Sequence, residues 1–257
     1  MGGVQLPKDF EAQLGIPVAN AQERLEEASA VAEKLARGGV PLLPTADHFA
    51  LFVDPPRLLA GPLKRLGYVV GMDNRCYPSP VDGHEYINVA ASLPQSSFLR
   101  RQGWPDHIAV VHPVDDEAFD HMLAQNYGNP FVHHITFGIA LPELRDARSL
   151  MRHMMEVRER VEQIVGAPAG RLIMALPAAV IRTPGFGEYA RSWLEPLAPP
   201  DYQLEEMEGG GFLLQFFVLQ GGRLEVALRW GTTQTFNPKS VQTISAEELS
   251  VDQGPGG

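Results

Sequence analysis

The chain has 257 residues, of which 31 are acidic and 21 basic, giving a formal net charge of −10 with histidine neutral. Such a surface repels phosphate backbones, which excludes the usual electrostatic route to nucleic acid. With 44% apolar and 20% charged residues, the composition is that of a folded globular chain and not of a disordered or fibrous one.

The opening stretch MGGVQLPKDFEAQ shows neither the basic run nor the apolar segment of a secretory signal, so a cytoplasmic location is expected. The single cysteine, Cys76, cannot close a disulfide within the chain and has no base near it in sequence. Ile173 to Ile181, interrupted by Pro177, falls far short of the roughly 20 apolar residues that cross a bilayer, so no membrane partner is expected.

NAQERLEEASAVAEKLA (Asn20 to Ala36) opens on an N-cap candidate with Glu23 three residues on and stops at Gly38-Gly39, which predicts a helix. Past Pro41 and Pro44, HFALFV (His48 to Val53) reads as a strand, and Asp54-Pro55 as the lead into a helix over Pro56 to Leu66. Strands are expected at Tyr68 to Met72, Tyr86 to Ala90 and His107 to Val111, giving the order β-α-β-β-β. A helix from about Asp115 to Gln125 follows, and turn-rich YGNP leads into a strand over His133 to Ile139. Pro142 opens a long amphipathic helix that Gly166 closes. Strands then follow at Leu172 to Ile181, Phe212 to Leu219 and Leu224 to Trp230, the last two joined by the hairpin signal Gln-Gly-Gly-Arg.

The second half thus repeats β-α-β-β-β, and two such modules are expected to pack around a shared cleft. The division expected is an N-terminal helical extension (1–44), a first module with its linker helix (45–129), a second module (130–244) and a fraying tail (245–257). Residues 183–211, rich in proline and glycine, have no counterpart in the first module and read as a lid.

Four polar residues occupy corresponding places on apolar strands: His48, His107, His134 and Glu225. Alternation puts His48, Ala50 and Phe52 on one face, as it does His134, Thr136 and Gly138, and Glu225, Ala227 and Arg229. A glutamate between Leu224 and Val226, if buried, must be paired or metal-bound. A lone histidine on such a strand is more often a packed or surface residue. Three at matching positions with an acid outweigh that. His133 is expected to face away from His134. His84, His112, His121 and His153 lie away from the cleft.

With DHFALFV, HHITFGI and RLEVALR at strand positions, residues 45 to 231 resemble the vicinal oxygen chelate superfamily of glyoxalases and extradiol dioxygenases. The resemblance implies an α+β fold in which paired βαβββ modules form a half-open barrel around a metal cleft. In its iron(II) dioxygenases, such as 4-hydroxyphenylpyruvate dioxygenase and 2-oxoadipate dioxygenase/decarboxylase, the ligands are a histidine on the first strand of each module and a glutamate on the last strand of the second. Carried over, these are His48, His134 and Glu225, one module length apart. Two histidines and one carboxylate leave positions open for a bidentate oxygen substrate and dioxygen. The expected function is therefore dioxygenation of a small carboxylate-bearing 2-oxo acid or vicinal diol with Fe(II).

His107 stands where isomerase-like and lyase-like members carry a fourth ligand. It is expected to transfer protons or sit behind the ligands in a dioxygenase. As a fourth ligand it implies nickel, zinc or manganese and Lewis-acid chemistry in an isomerase, epimerase or lyase. Metal-free sequestration of a small molecule is a third reading. Arg229 suits a substrate carboxylate, and Gln215 and Asn88 suit a substrate oxygen. Partners expected are that substrate and O2, and members of the superfamily often pair, so a homodimer is among the expectations.

Overall fold

The computed structural model describes residues 10–230 apart from 16, 19–20, 54–56, 79–84, 95, 103, 106, 114–116, 118–119, 121–130, 141–146, 178–181, 183–197, 201, 208–211 and 219–223. The tail, most of the lid stretch and most of the helix expected over Asp115 to Gln125 lie outside the described residues, as do His84 and His121.

A short helix α1 (Phe10–Leu14) precedes α2 (Ala21–Arg37), followed by β1 (Leu42–Phe52), α3 (Arg57–Arg65), β2 (Val69–Pro78), β3 (Glu85–Ser92), a 3-10 turn (Phe98–Gln102) and β4 (His107–Pro113). The second half carries β5 (Phe131–Ile139), α4 (Ala147–Val165), β6 (Ile173–Pro177), β7 (Gln203–Met207), β8 (Phe212–Val218) and β9 (Leu224–Trp230). The chain is mixed α+β. Its strands form one sheet in the order β2-β3-β4-β1-β5-β9-β8-β6-β7, and among the described residues no pairing joins the outer strands to close it.

The order has an internal symmetry. β1 runs parallel to β4, β5 runs parallel to β9, and β1 and β5 pair antiparallel at the middle. In each half the first strand lies beside the last, which parallel neighbours require because a long crossover must separate them. β7 is extra: it adds parallel to the outer side of β6, within the stretch expected to be a lid.

α2 buries Ala21, Leu25, Ala28, Ala32 and Leu35, a stripe at helical spacing laid against β1, β5 and β9. Small Ala28 and Ala32 let it approach the sheet closely. Burying Leu25 and Leu35 stabilises by roughly 1.5–3 kcal/mol each. Glu23 in the first turn and Lys34 and Arg37 in the last complement the helix dipole. Gly39, at φ 83°, ends the helix in a left-handed residue. There Gly39 N–H reaches Ala36 O at 3.0 Å and Val40 N–H reaches Leu35 O at 3.0 Å. α4 buries Leu150, Met151, Met154, Val157 and Val161 against the same layer.

The helices cover one face of the sheet, where Phe49, Leu51, Ile135, Phe137, Phe216 and Val226 form the main core. The other face carries a separate small cluster of Ala50, Phe52, Val111 and Phe131, with the Phe52 and Phe131 rings stacked at 4.7 Å. His48, His107, His134 and Glu225 lie on this second face. No described helix is long and apolar enough to cross a membrane.

β1 begins at Leu42, six residues before the apolar run that marks it in sequence. Pro44 lacks the N–H a regular ladder needs, and the β1–β5 register shifts between Leu42 and Ala46 where it sits.

Candidate metal centre

Residues opposite one another on neighbouring strands share a face. The registers line up Ser92, His107, His48, Thr136, Glu225 and Phe217 in a single row across β3, β4, β1, β5, β9 and β8. His134 lies two residues from Thr136 on the same strand, opposite Ala50. Strands are about 4.8 Å apart, so His48 and Glu225, on either side of β5, are long enough to meet above it. Thr136 between them is small enough to leave the room. His48 Nε2 lies 3.5 Å from Glu225 Oε2, and His134 Nε2 lies 3.6 Å from the same oxygen.

These groups are taken out of water. Thr136 is fully buried, Glu225 is 2% exposed and His48 is 7% exposed. A buried carboxylate needs donors. The Thr136 hydroxyl donates to Glu225 Oε2, and its oxygen also lies 2.9 Å from His48 Nε2. The Phe217 and His134 rings stand edge to face with centroids 5.1 Å apart, and the His48 and His134 rings do so at 5.6 Å. Thr136→Val keeps the shape and removes the donor to the carboxylate. It is expected to destabilise the metal-free protein by about 1–3 kcal/mol in urea unfolding, whereas Thr136→Ser retains most of the parent stability.

Two further residues reach the histidines from behind. Asp47 Oδ2 lies 2.9 Å from His48 Nδ1, and His133 Nδ1 lies 2.8 Å from His134 Nδ1. His133 therefore does not simply turn away from its neighbour, as strict alternation predicts. The β1–β5 register shifts between Ala50 and Leu51, paired to His134 and Val132, and His133 is the extra residue of that bulge.

Among the described residues, His48, His134 and Glu225 form the one group of three or more histidine, cysteine, aspartate or glutamate side chains whose potential ligand atoms all lie within 4.8 Å of one another. Ligand atoms bound at about 2.1 Å from a common cation lie about 3.0–3.4 Å apart in octahedral or tetrahedral geometry. The Nε2–Oε2 separations of 3.5 and 3.6 Å exceed that by a few tenths of an ångström. Two imidazoles and a carboxylate, each held by a hydrogen bond, are also the donor types that borderline divalent metals take. The residues fit a divalent cation.

The remaining candidates are placed unequally. His107 is buried beside His48, with ring centroids 5.3 Å apart and Nδ1 3.3 Å from Ser92 Oγ, but it does not join the close donor group. Gln215 is half-buried on β8, opposite Ala227, and so faces the same side as Phe217 and Glu225. Asn88 and Arg229 are placed by backbone register alone, opposite Val111 and Leu213, and their side chains lie outside the described part of the structure. His112 is on β4, opposite Ile87, and His153 is on α4. Asp47, His133 and Thr136 are the site residues that sequence reasoning missed. The first two carry the signal of adjacency to a candidate histidine, and Thr136 that of sharing its face.

No protein-family model and no curated protein matches the chain. Among solved structures, the fold is similar to that of a mutant 4-hydroxymandelate synthase from Streptomyces coelicolor, at 15% identity and a TM-score of 0.41. That match covers 83% of this chain and 56% of the other. It is also similar to a xylose isomerase-like TIM barrel/4-hydroxyphenylpyruvate dioxygenase fusion protein, at 14% identity and a TM-score of 0.40, over 81% of this chain and 29% of that one. The chain thus spans little over half of the first protein and under a third of the second.

Proposed function

We propose that the chain is a non-haem iron(II) dioxygenase acting on a small carboxylate-bearing 2-oxo acid or vicinal diol, with His48, His134 and Glu225 as metal ligands. One observation carries the reading: two imidazole Nε2 atoms and one buried carboxylate oxygen from three strands converge on one point. The two halves of the sheet are read as paired βαβββ modules, the metal lying where they meet.

Bound there, the cation would supply open positions for a bidentate oxygen substrate and for O2. The protein's own residues do the rest. Thr136 holds the Glu225 oxygen toward the two histidines. Phe217 and the Phe52–Phe131 pair give the site face apolar ground on either side of the donors, which limits water there. In this reading Arg229 holds the substrate carboxylate in paired hydrogen bonds and Gln215 and Asn88 orient a substrate oxygen. His107, one strand from His48 in the same row, receives or returns a proton.

A second reading is a metal-dependent isomerase, epimerase or lyase, favoured by the burial of His107 against His48. It ranks below the first because, among the described residues, three donors come together and His107 is not one of them.

Anaerobic reconstitution with iron(II), followed by oxygen-electrode measurements on a panel of 2-oxo acids and catechols, tests the choice. Oxygen uptake with at least one substrate, lost in His134→Ala, is the expected result. Turnover without oxygen uptake favours the second reading. Absence of metal in protein purified without chelators, with ligand binding unchanged in His134→Ala, favours a metal-free binding protein.

A further inference from the structure

On each strand of the central β1–β5 pair, the residue just before the metal-facing histidine reaches that histidine's Nδ1. Regular alternation sends residues 47 and 133 to the opposite face of the sheet from 48 and 134. The pairing is not regular at either place. Ala46 pairs with Phe137 and His48 with Thr136, which leaves Asp47 as an extra residue on β1. Ala50 pairs with His134 and Leu51 with Val132, which leaves His133 as an extra residue on β5. Bulges re-aim side chains in this way. Each strand therefore spends one irregularity on bringing a partner to its own histidine, at 2.9 Å for Asp47 and 2.8 Å for His133.

The two partners differ in kind. An ionised carboxylate can only accept, here from His48 Nδ1–H, which puts that ring's lone pair on Nε2, the nitrogen facing Thr136 and Glu225. Two imidazoles facing through Nδ1 have a choice, because either can carry the proton between them. We infer that His133 accepts at its Nδ1 from His134 Nδ1–H, and is thereby the positioning residue that turns the His134 Nε2 lone pair toward Glu225. Its own proton then sits on Nε2. The inference rests on the proposed metal site and adds the residue that sets its second ligand's tautomer. Loss of an outer partner of this kind typically weakens metal binding by about 10- to 100-fold.

The test uses cobalt(II), whose visible absorption reports both binding and coordination, titrated into the full chain and two variants. His133→Phe keeps a ring of similar volume and removes the acceptor. His133→Asn loses the ring and keeps an acceptor, since Oδ1 is two bonds from Cβ as Nδ1 is. If His133 positions His134, Phe weakens cobalt(II) binding by about 10- to 100-fold and Asn recovers most of it. If His133 only fills space, the order reverses, because Phe preserves the volume and Asn does not. That reversed order, or parent affinity in His133→Phe, overturns the inference while leaving the metal site standing. A parent chain that binds no cobalt(II) overturns the metal site itself. Nitrogen-15 spectra of the histidine rings in the zinc(II)-loaded parent need no variant: His134 metallated through Nε2 with a proton on Nδ1 is expected, and metallation through Nδ1 overturns the inference.

Discussion

Glu225→Gln is expected to bind cobalt(II) more than about 100-fold more weakly than the parent chain, beyond what loss of an outer partner costs. The amide keeps the size of the side chain and can still accept from Thr136. It loses the negative charge, which is the one anionic donor in the close group. The same variant is expected to be at least as stable as the parent when both are metal-free, because a buried carboxylate carries a desolvation cost that an amide does not. Titration followed by absorption and urea unfolding in chelator measure the two effects separately. Unchanged cobalt(II) affinity, or a large loss of metal-free stability, would remove Glu225 from the site and leave it a structural acid.

Phe216→Ala is expected to show the opposite profile. Phe216 is fully buried on the helix-covered face of β8, next in sequence to Phe217 but on the other side of the sheet. Truncation of a buried phenylalanine leaves a cavity and costs about 3–5 kcal/mol. Urea unfolding is expected to show that loss. Cobalt(II) affinity of the folded variant changes by less than about tenfold, the order of coupling that neighbouring sites show. The pair of variants separates the two faces of one sheet: one bears the stability and the other the donors. Equal loss of metal affinity in both variants would contradict that separation.

Much of this arrangement is legible from alternation and spacing. His48, His134 and Glu225 stand out because each interrupts an apolar strand at a matching place, and regular strands transmit that pattern directly into a shared face. The strand at Leu224–Trp230 keeps its sequence boundaries, and those at His107–Pro113 and Phe212–Val218 shift by no more than two residues at either end. What alternation cannot convey is where the ladder slips. Asp47 and His133 look like back-face residues under a strict period of two, and only the pairing of β1 with β5, distant in sequence, reveals the bulges that bring them round. Propensity also misses β7. Gln203–Met207 carries two adjacent glutamates and lies in a proline- and glycine-rich stretch, so its strand conformation comes from the β6 edge it pairs with. The early start of β1 is hidden for the converse reason, because Pro44 reads as a linker residue and is accommodated where the β1–β5 register is already irregular.

His48 belongs to one half of the sheet, and His134 and Glu225 to the other, with the β1–β5 pairing as the seam between them. A cation shared among them would act as a rivet across that seam. Linkage then runs in both directions: whatever loading contributes to holding the halves together, their cohesion contributes equally to loading. A ladder slip of one step along the seam would swing His48 away from its counterparts, so loss of the ion and slippage of the halves would be one event seen from two sides.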